Sequence, residues 1–159
     1  MPLLKYTLCF LTHQDSILML KRNRPPNLGL WNGVGGHIEP GETPGESILR
    51  EVKEETGIRI TQTKYAGILT WSGFEIDDGG LYIFTAPAPS WTLQQSDEGL
   101  LDWKPREWVF SSPEVVSNIH IFGPQVFLNS HARQYHFVYK NGEILNYQFF
   151  DLPKWAMLA

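Results

Sequence analysis

The segment from Gly33 to Gly57 constrains the fold more than any other part of this chain. It opens with a glycine cluster, Gly33, Gly35, Gly36 and Gly41, and passes directly into the strongest helix signal in the sequence. Thr43 suits the N-cap, Pro44 the first helical position, and Glu46, three residues after Thr43, completes a capping box. Ile48 and Val52 repeat at helical spacing, and Gly57 suits the left-handed residue that ends a helix. These signals predict a helix over residues 44–56. On it Glu51, Glu54 and Glu55 stand at i, i+3 and i+4, where they can share one face. Like charges at that spacing repel and cost stability. A hard divalent cation offsets the cost, because Mg²⁺ prefers oxygen ligands, carboxylates together with phosphates and water. The plain alternative is a solvated acidic face. The preceding loop argues against it: Gly35 and Gly36 let a ligand approach the backbone closely, and Glu39 and Glu42 add two carboxylates at the same end. Arg50, four residues before Glu54, can orient it through a charge-assisted hydrogen bond.

The remaining pattern is of strands with few helices. Lys5 to Thr12 and Ser16 to Leu20 read as strands joined by a short link, His13 to Asp15. Asn23 to Gly29 reads as a loop. Arg59 to Trp71 and Leu81 to Ala86 read as strands around an Asp77-Asp78-Gly79-Gly80 turn, and Leu101 to Phe110 contains another. Ser112-Pro113 suggests the start of a short helix, and Gln125 to Ser130 belongs to a second. Tyr135 to Tyr139 and Ile144 to Phe149 flank Asn141-Gly142, the strongest short-range hairpin signal. The ensemble is α+β, a mixed sheet layered between helices. At 159 residues it fits one domain, 1–159, with a sizeable core.

Composition narrows the function classes. Hydrophobic residues at 42% and charged residues at 19% describe a globular chain. A net charge of −4 argues against a general grip on a nucleic-acid polymer, which wants a basic face, but a free nucleotide carried with Mg²⁺ needs none. The single cysteine, Cys9, excludes an internal disulfide and is consistent with a reducing cytoplasm; within an apolar run it reads as a buried, inert thiol. No signal peptide is visible, and no run approaches the roughly 20 apolar residues of a membrane span, so a cytoplasmic location without membrane contact is expected.

The spacing in the glycine–helix segment is specific. Gly36 is followed after five residues by Glu42, and after seven more by Arg50-Glu51-Val52-Lys53-Glu54-Glu55-Thr56-Gly57-Ile58. This resembles the Nudix box with every fixed position matched. The resemblance implies an α/β/α sandwich, with the box as loop–helix–loop, and hydrolysis of a nucleoside diphosphate linkage. It implies Mg²⁺, or Mn²⁺, held by Glu51, Glu54 and Glu55, with a backbone carbonyl of Gly35 or Gly36 as a further ligand. Many members add a later glutamate, and Glu98, in Ser96-Asp97-Glu98, is the best match. The general base differs among members; Glu54 and Glu98 are the candidates here, with Glu51 and Glu55 mainly metal ligands.

Within the family the chain is most similar to the MutT group, which converts oxidised purine nucleoside triphosphates such as 8-oxo-dGTP to the monophosphate and pyrophosphate. Tyr6-Thr7, Trp31-Asn32-Gly33 and Ser96-Asp97-Glu98 carry that similarity. It implies that Asn32 hydrogen-bonds the purine edge and that Tyr6 and Trp71 line the base pocket. Lys21 and Arg24 are candidates to meet the phosphates. The animal members carry paired aspartates that read the base; the stretch from Ser117 to Gly123 has no such pair, and Asn118, His120 and Phe122 are the candidates to replace it. Two alternatives stand beside this reading. One is a Nudix pyrophosphatase for another nucleoside diphosphate derivative, such as ADP-ribose or a dinucleotide. The other is a non-catalytic nucleotide-sensing module, a class that typically loses box glutamates retained here.

Overall fold

The structure is a computed structural model that describes residues 4–95 and 97–158. In chain order its elements are β1 (Tyr6–His13), β2 (Ser16–Arg22), β3 (Trp31–Asn32), β4 (Val34–His37), α1 (Pro44–Thr56), β5 (Lys64–Ser72), β6 (Gly79–Pro87), β7 (Gly99–Pro105), α2 (Arg106–Val109), α3 (Ile119–Leu128), β8 (Arg133–Lys140) and β9 (Glu143–Asp151), followed by a 3₁₀ turn at Lys154–Ala156. All the strands belong to one mixed sheet.

The centre of the sheet is β1, which lies parallel to β6 from Tyr6 to Thr12. On its other edge two partners share it. Residues Tyr6 to Cys9 pair with β4, whereas Thr12 and His13 pair with the start of β2. Strand β2 therefore diverges from β1 and takes β7 along its other edge and β3 at its far end. The wedge that opens between them admits β4 and the glycine loop, and so brings the start of the box beside the first strand.

Alternation along the central strands builds two cores. Leu8 and Phe10 of β1, with Ile17 and Met19 of β2, join Ile119, Phe122 and Val126 of α3. Cys9 and Leu11, with Leu18 and Leu20, join Ile48 and Val52 of α1 on the opposite face. Strands buried on both faces read as continuous apolar runs, as CFL and ILML do here. The result is a helix–sheet–helix sandwich. Cys9 is fully buried, which raises its thiol far above the usual range and removes any thiolate character.

Helix α1 has the limits and caps expected. The Thr43 hydroxyl accepts from the Glu46 N–H at 3.1 Å, and the Glu46 carboxylate accepts from the Thr43 N–H at 2.9 Å. Gly57 is left-handed, with φ 75°, and its N–H returns to the Lys53 carbonyl.

Three local expectations are corrected. The strand expected from Arg59 begins at Lys64, where the ladder with β6 opens opposite Thr85; beyond that pair Ala86 and Pro87 of β6 are paired to β1 alone. No helix starts at Ser112-Pro113. The Ser112 hydroxyl instead accepts from Glu114 N–H at 3.1 Å, a local turn that delivers Val115 to a bridge with Trp31. The second main helix starts at Ile119 rather than near Gln125, and runs through Pro124. There the loss of one N–H bond is outweighed by burial of Ile119, Phe122 and Val126.

Candidate active site

The glycine loop and α1 meet around Glu51. Arg50 organises the entrance. Its Nε donates to Glu42 Oε2 at 2.6 Å and its Nη2 to Glu42 Oε1 at 2.8 Å, a two-pronged pair. Its Nη2 also donates to the His37 carbonyl, and its Nη1 to Glu51 at 2.9 Å and Glu54 at 3.2 Å. The guanidinium thus ties the loop to the helix and holds two box glutamates together. The expected Arg50–Glu54 contact is present, but Glu42 is the tighter partner. This contact, with the Glu39 N–H, holds the Glu42 carboxyl down at about 2.

Spacing along the helix put the three glutamates on one face; the packing divides them. Glu55 turns toward the core and is 6% exposed, Glu51 is nearly covered, and the Glu54 side chain is 60% exposed. Neither Glu55 carboxyl oxygen has a protein donor. The groups that face it are the carboxyls of Glu98 and Glu51; burial first, and then these neighbours, push the Glu55 carboxyl well above the usual carboxylate range. Gly36 lies directly against Glu51: a Cβ there would come within 2.6 Å of the carboxyl carbon. Among the described residues, no three His, Cys, Asp or Glu side chains already form a closed metal cage. The donor set is nonetheless an oxygen set, and its buried member lacks any compensating cation or donor from the protein, which fits a hard divalent ion. Gly35 and Gly36 expose backbone beside it.

A pocket of about 380 Å³ opens next to this cluster. Of the expected site residues it is lined by Tyr6, Arg24, Asn32, Gly35, Gly36, Glu51, Trp71 and Glu98. Lys21 does not line it; it is exposed on β2 opposite Trp31. Glu54, Glu55 and Arg50 are not part of the lining. Trp71 has a second role, since its Nε1 donates to the Asp77 carbonyl at 2.9 Å and fastens the loop after β5. Tyr6 stacks obliquely against His37, with ring centroids 4.5 Å apart. Asn32 Oδ1 accepts from the Gly33 N–H at 2.8 Å, which leaves its Nδ2 for other partners.

Of the three candidates in the aspartate-free stretch, Asn118 and Phe122 line the pocket and His120 does not; its Nε2 lies 2.7 Å from the Ser112 carbonyl. Ser96 lies outside the described residues. Sequence reasoning missed Tyr139, Phe74 and Ile76, which complete the apolar walls. Tyr139 accepts from Asn118 Nδ2 at 3.0 Å. It stands on a distant hairpin with no local motif, and only the sheet order brings it across.

The sequence model of the NUDIX domain matches residues 3–120. The uncharacterised Nudix hydrolase YvcI of Bacillus subtilis is 35% identical over 125 residues, covering 74% of this chain and 75% of that protein. The NAD-capped RNA hydrolase NudC of Haemophilus influenzae is 38% identical over 60 residues, 38% of this chain and 23% of that protein. The crystal structure of the mutator MutT protein of Bacillus halodurans superposes with a TM-score of 0.77 at 28% identity, covering 92% of this chain and 97% of that one.

Proposed function

The chain belongs to the Nudix hydrolase family, and on that premise we propose that it cleaves the diphosphate linkage of a purine nucleoside triphosphate, of the oxidised 8-oxo-dGTP type, to the monophosphate and pyrophosphate. One observation carries the reading: a buried carboxyl without a protein donor, Glu55, set against Glu51 and Glu98 at the mouth of an aromatic-walled pocket.

Nudix hydrolases generally use divalent metal ions. Here Glu51, Glu55 and Glu98, with Glu54 and a backbone carbonyl of Gly35 or Gly36, would hold Mg²⁺. When bound, it would neutralise phosphate charge and acidify water. The chain's own residues do the rest. Tyr6, Trp71 and the neighbouring apolar walls take the base, where an aromatic face stacks without regard to sequence. Asn32 offers Nδ2 to the base edge. Arg24 stands on the loop beside the pocket, where a cation meets phosphate oxygens. Glu54 and Glu98 are the candidates to take the proton from the attacking water. Arg50 holds Glu51 and Glu54 in register, so that little reorganisation remains for the reaction.

A second reading uses the same centre on another nucleoside diphosphate derivative. The local similarity to the NAD-capped RNA hydrolase supports it. A panel of 8-oxo-dGTP, dGTP, ADP-ribose, NADH and diadenosine polyphosphates, assayed with Mg²⁺, separates the two. Faster turnover of the triphosphates is expected, with Glu54→Gln or Glu98→Gln lowering the rate by orders of magnitude in a folded protein. Turnover confined to ADP-ribose or dinucleotides would favour the second reading; binding without turnover of any member would indicate a sensing module.

A further inference from the structure

The turn that carries Glu98 is held from an unexpected direction. Glu98 stands one residue before the β2–β7 ladder, which begins where Arg22 faces Gly99. On the other side of that ladder the loop after β2 folds back over the pocket. Asn23, its first residue beyond the strand, meets the Glu98 turn twice: its backbone N–H donates to the Glu98 carbonyl at 3.1 Å, and its side-chain Nδ2 donates to the Asp97 carbonyl at 3.1 Å. Two adjacent peptides are thus fixed by one residue, which fixes the backbone from which the Glu98 side chain projects.

Asn23 in turn rests on a rigid base. The Arg22 guanidinium donates from Nε to the Pro26 carbonyl at 2.6 Å, and the Arg22 carbonyl accepts from Gly29 N–H at 2.8 Å, so the loop is closed on itself. Its far side is braced separately, where the Asn27 N–H donates to the Glu75 carboxylate at 3.0 Å. The same loop supplies Arg24, Pro25, Pro26 and Asn27 to the pocket wall. One face of it therefore shapes the substrate pocket while its first residue grips the turn bearing Glu98.

We infer that Asn23 is a positioning residue for the hydrolysis: through the Asp97 and Glu98 peptides it holds the Glu98 carboxylate where the reaction needs it. This rests on the role given to Glu98 above. The side-chain bond is the part a mutation can remove, since the backbone bond survives any substitution. A glutamate free to move by about 1 Å loses much of its effect; misplacement of that size can cost on the order of 100-fold in rate.

The test is a double-mutant cycle on the full chain, using the best substrate of the panel. Asn23→Ala is expected to lower kcat ~10-fold while KM changes by less than ~2-fold, because the pocket wall keeps its own braces. In the Glu98→Gln background the same change is expected to have no further effect on kcat. Asn23→Leu, which keeps roughly the volume and removes the Nδ2 donor without adding charge, replaces Ala if that variant fails to fold. Glu75→Ala, which releases the pocket end of the loop, is expected to raise KM rather than lower kcat. A kcat loss of equal size in both Glu98 backgrounds would make Asn23 merely structural and overturn the inference. So would normal kcat in Asn23→Ala and Asn23→Leu beside a defective Glu98→Gln, which leaves the function of Glu98 standing. Normal turnover in Glu98→Gln overturns both.

Discussion

Gly36 and Glu51 are in such close contact that a single added methyl on the glycine would lie 2.6 Å from the Glu51 carboxyl carbon. The glycine is therefore required by the position of the Glu51 side chain and not by its own backbone. Its neighbour Gly35 differs. A Cβ there would overlap the Thr7 carbonyl of β1, across the ladder in which Gly36 faces Thr7 and Gly35 faces Leu8. One clash is with the end of a side chain, the other with backbone. Gly36→Ala is thus expected to fold with near-normal melting temperature but to bind Mg²⁺ at least ~10-fold more weakly, as Glu51 is pushed aside. Gly35→Ala is expected to lose stability by roughly 2 kcal/mol or more, since β1 and β4 must separate. Calorimetric titration with Mg²⁺ and thermal melts distinguish them; equal effects of the two changes would contradict the assignment.

The Arg50–Glu42 pair gives a pH signature. Folding holds the Glu42 carboxyl at about 2, below its ordinary value of 4.5. A carboxyl whose folded value is depressed stabilises the fold above its unfolded value, and that contribution is lost as the pH falls toward the folded one. The window is therefore about pH 4.5 down to 2. Glu42→Gln is expected to be less stable than the wild type at pH 7, with the difference shrinking through that window. Urea midpoints of both proteins at pH 7, 4 and 3 read it directly. A difference that stays constant would show that the ion pair is not what Glu42 contributes.

Glu55 has the opposite sign. Burial, then Glu98 and Glu51, raise its carboxyl, so the folded chain favours the neutral form. Its contribution to the metal-free fold is present below the unfolded value and is eroded as the pH rises through neutrality. Glu55→Gln cannot ionise, and its amide can donate to the carboxylates facing it. It is expected to raise the melting temperature in EDTA at pH 8 by roughly 3–6 °C, with on the order of 1–2 kcal/mol behind it. Added Mg²⁺ should stabilise the wild type and leave this variant almost unchanged. A variant that melts lower than the wild type without metal would refute the account.

The box helix was legible because its signals are local. Thr43, Pro44, Glu46 and Gly57 each act within a turn of their own position, and the limits 44–56 follow from them. The division of Glu51, Glu54 and Glu55 was not, because spacing fixes which residues are neighbours on the helix but not which way that face turns. That is decided by β4 and the glycine loop against Glu51 and by the core under Val52. The place of Lys21 was not legible for a similar reason: its register against Trp31 and Leu100 leaves it exposed on β2, outside the pocket lining. Asn23 reads in sequence as one polar residue in a proline-rich loop. Its partners, Asp97 and Glu98, are brought to it by the pairing of β2 with β7.

The same long-range geometry sets the base pocket. Asn118 donates from Nδ2 to the Tyr139 hydroxyl, which engages one of its two N–H groups, fixes the amide and leaves Oδ1, an acceptor, for a ligand. Asn32 is held the other way round, with Oδ1 engaged by Gly33 N–H and Nδ2 left as a donor. A base edge that carries both an acceptor and a donor matches this pair; guanine does, whereas unsubstituted purine offers acceptors only. A site built to hydrogen-bond a donor rejects an analogue lacking it far more strongly than an apolar pocket rejects a change of size. Wild-type kcat/KM is thus expected to favour dGTP over the triphosphate of unsubstituted purine deoxyriboside by at least ~10-fold. Tyr139→Phe retains the ring, whose centroid lies 4.7 Å from that of Phe74, and loses only the hydroxyl. It should narrow the ratio by freeing the Asn118 amide to turn, while Asn118→Leu should bring it close to one. Steady-state rates for the two nucleotides with the three proteins give the ratios. An unchanged ratio in Tyr139→Phe would mean that Asn118 holds its orientation without Tyr139.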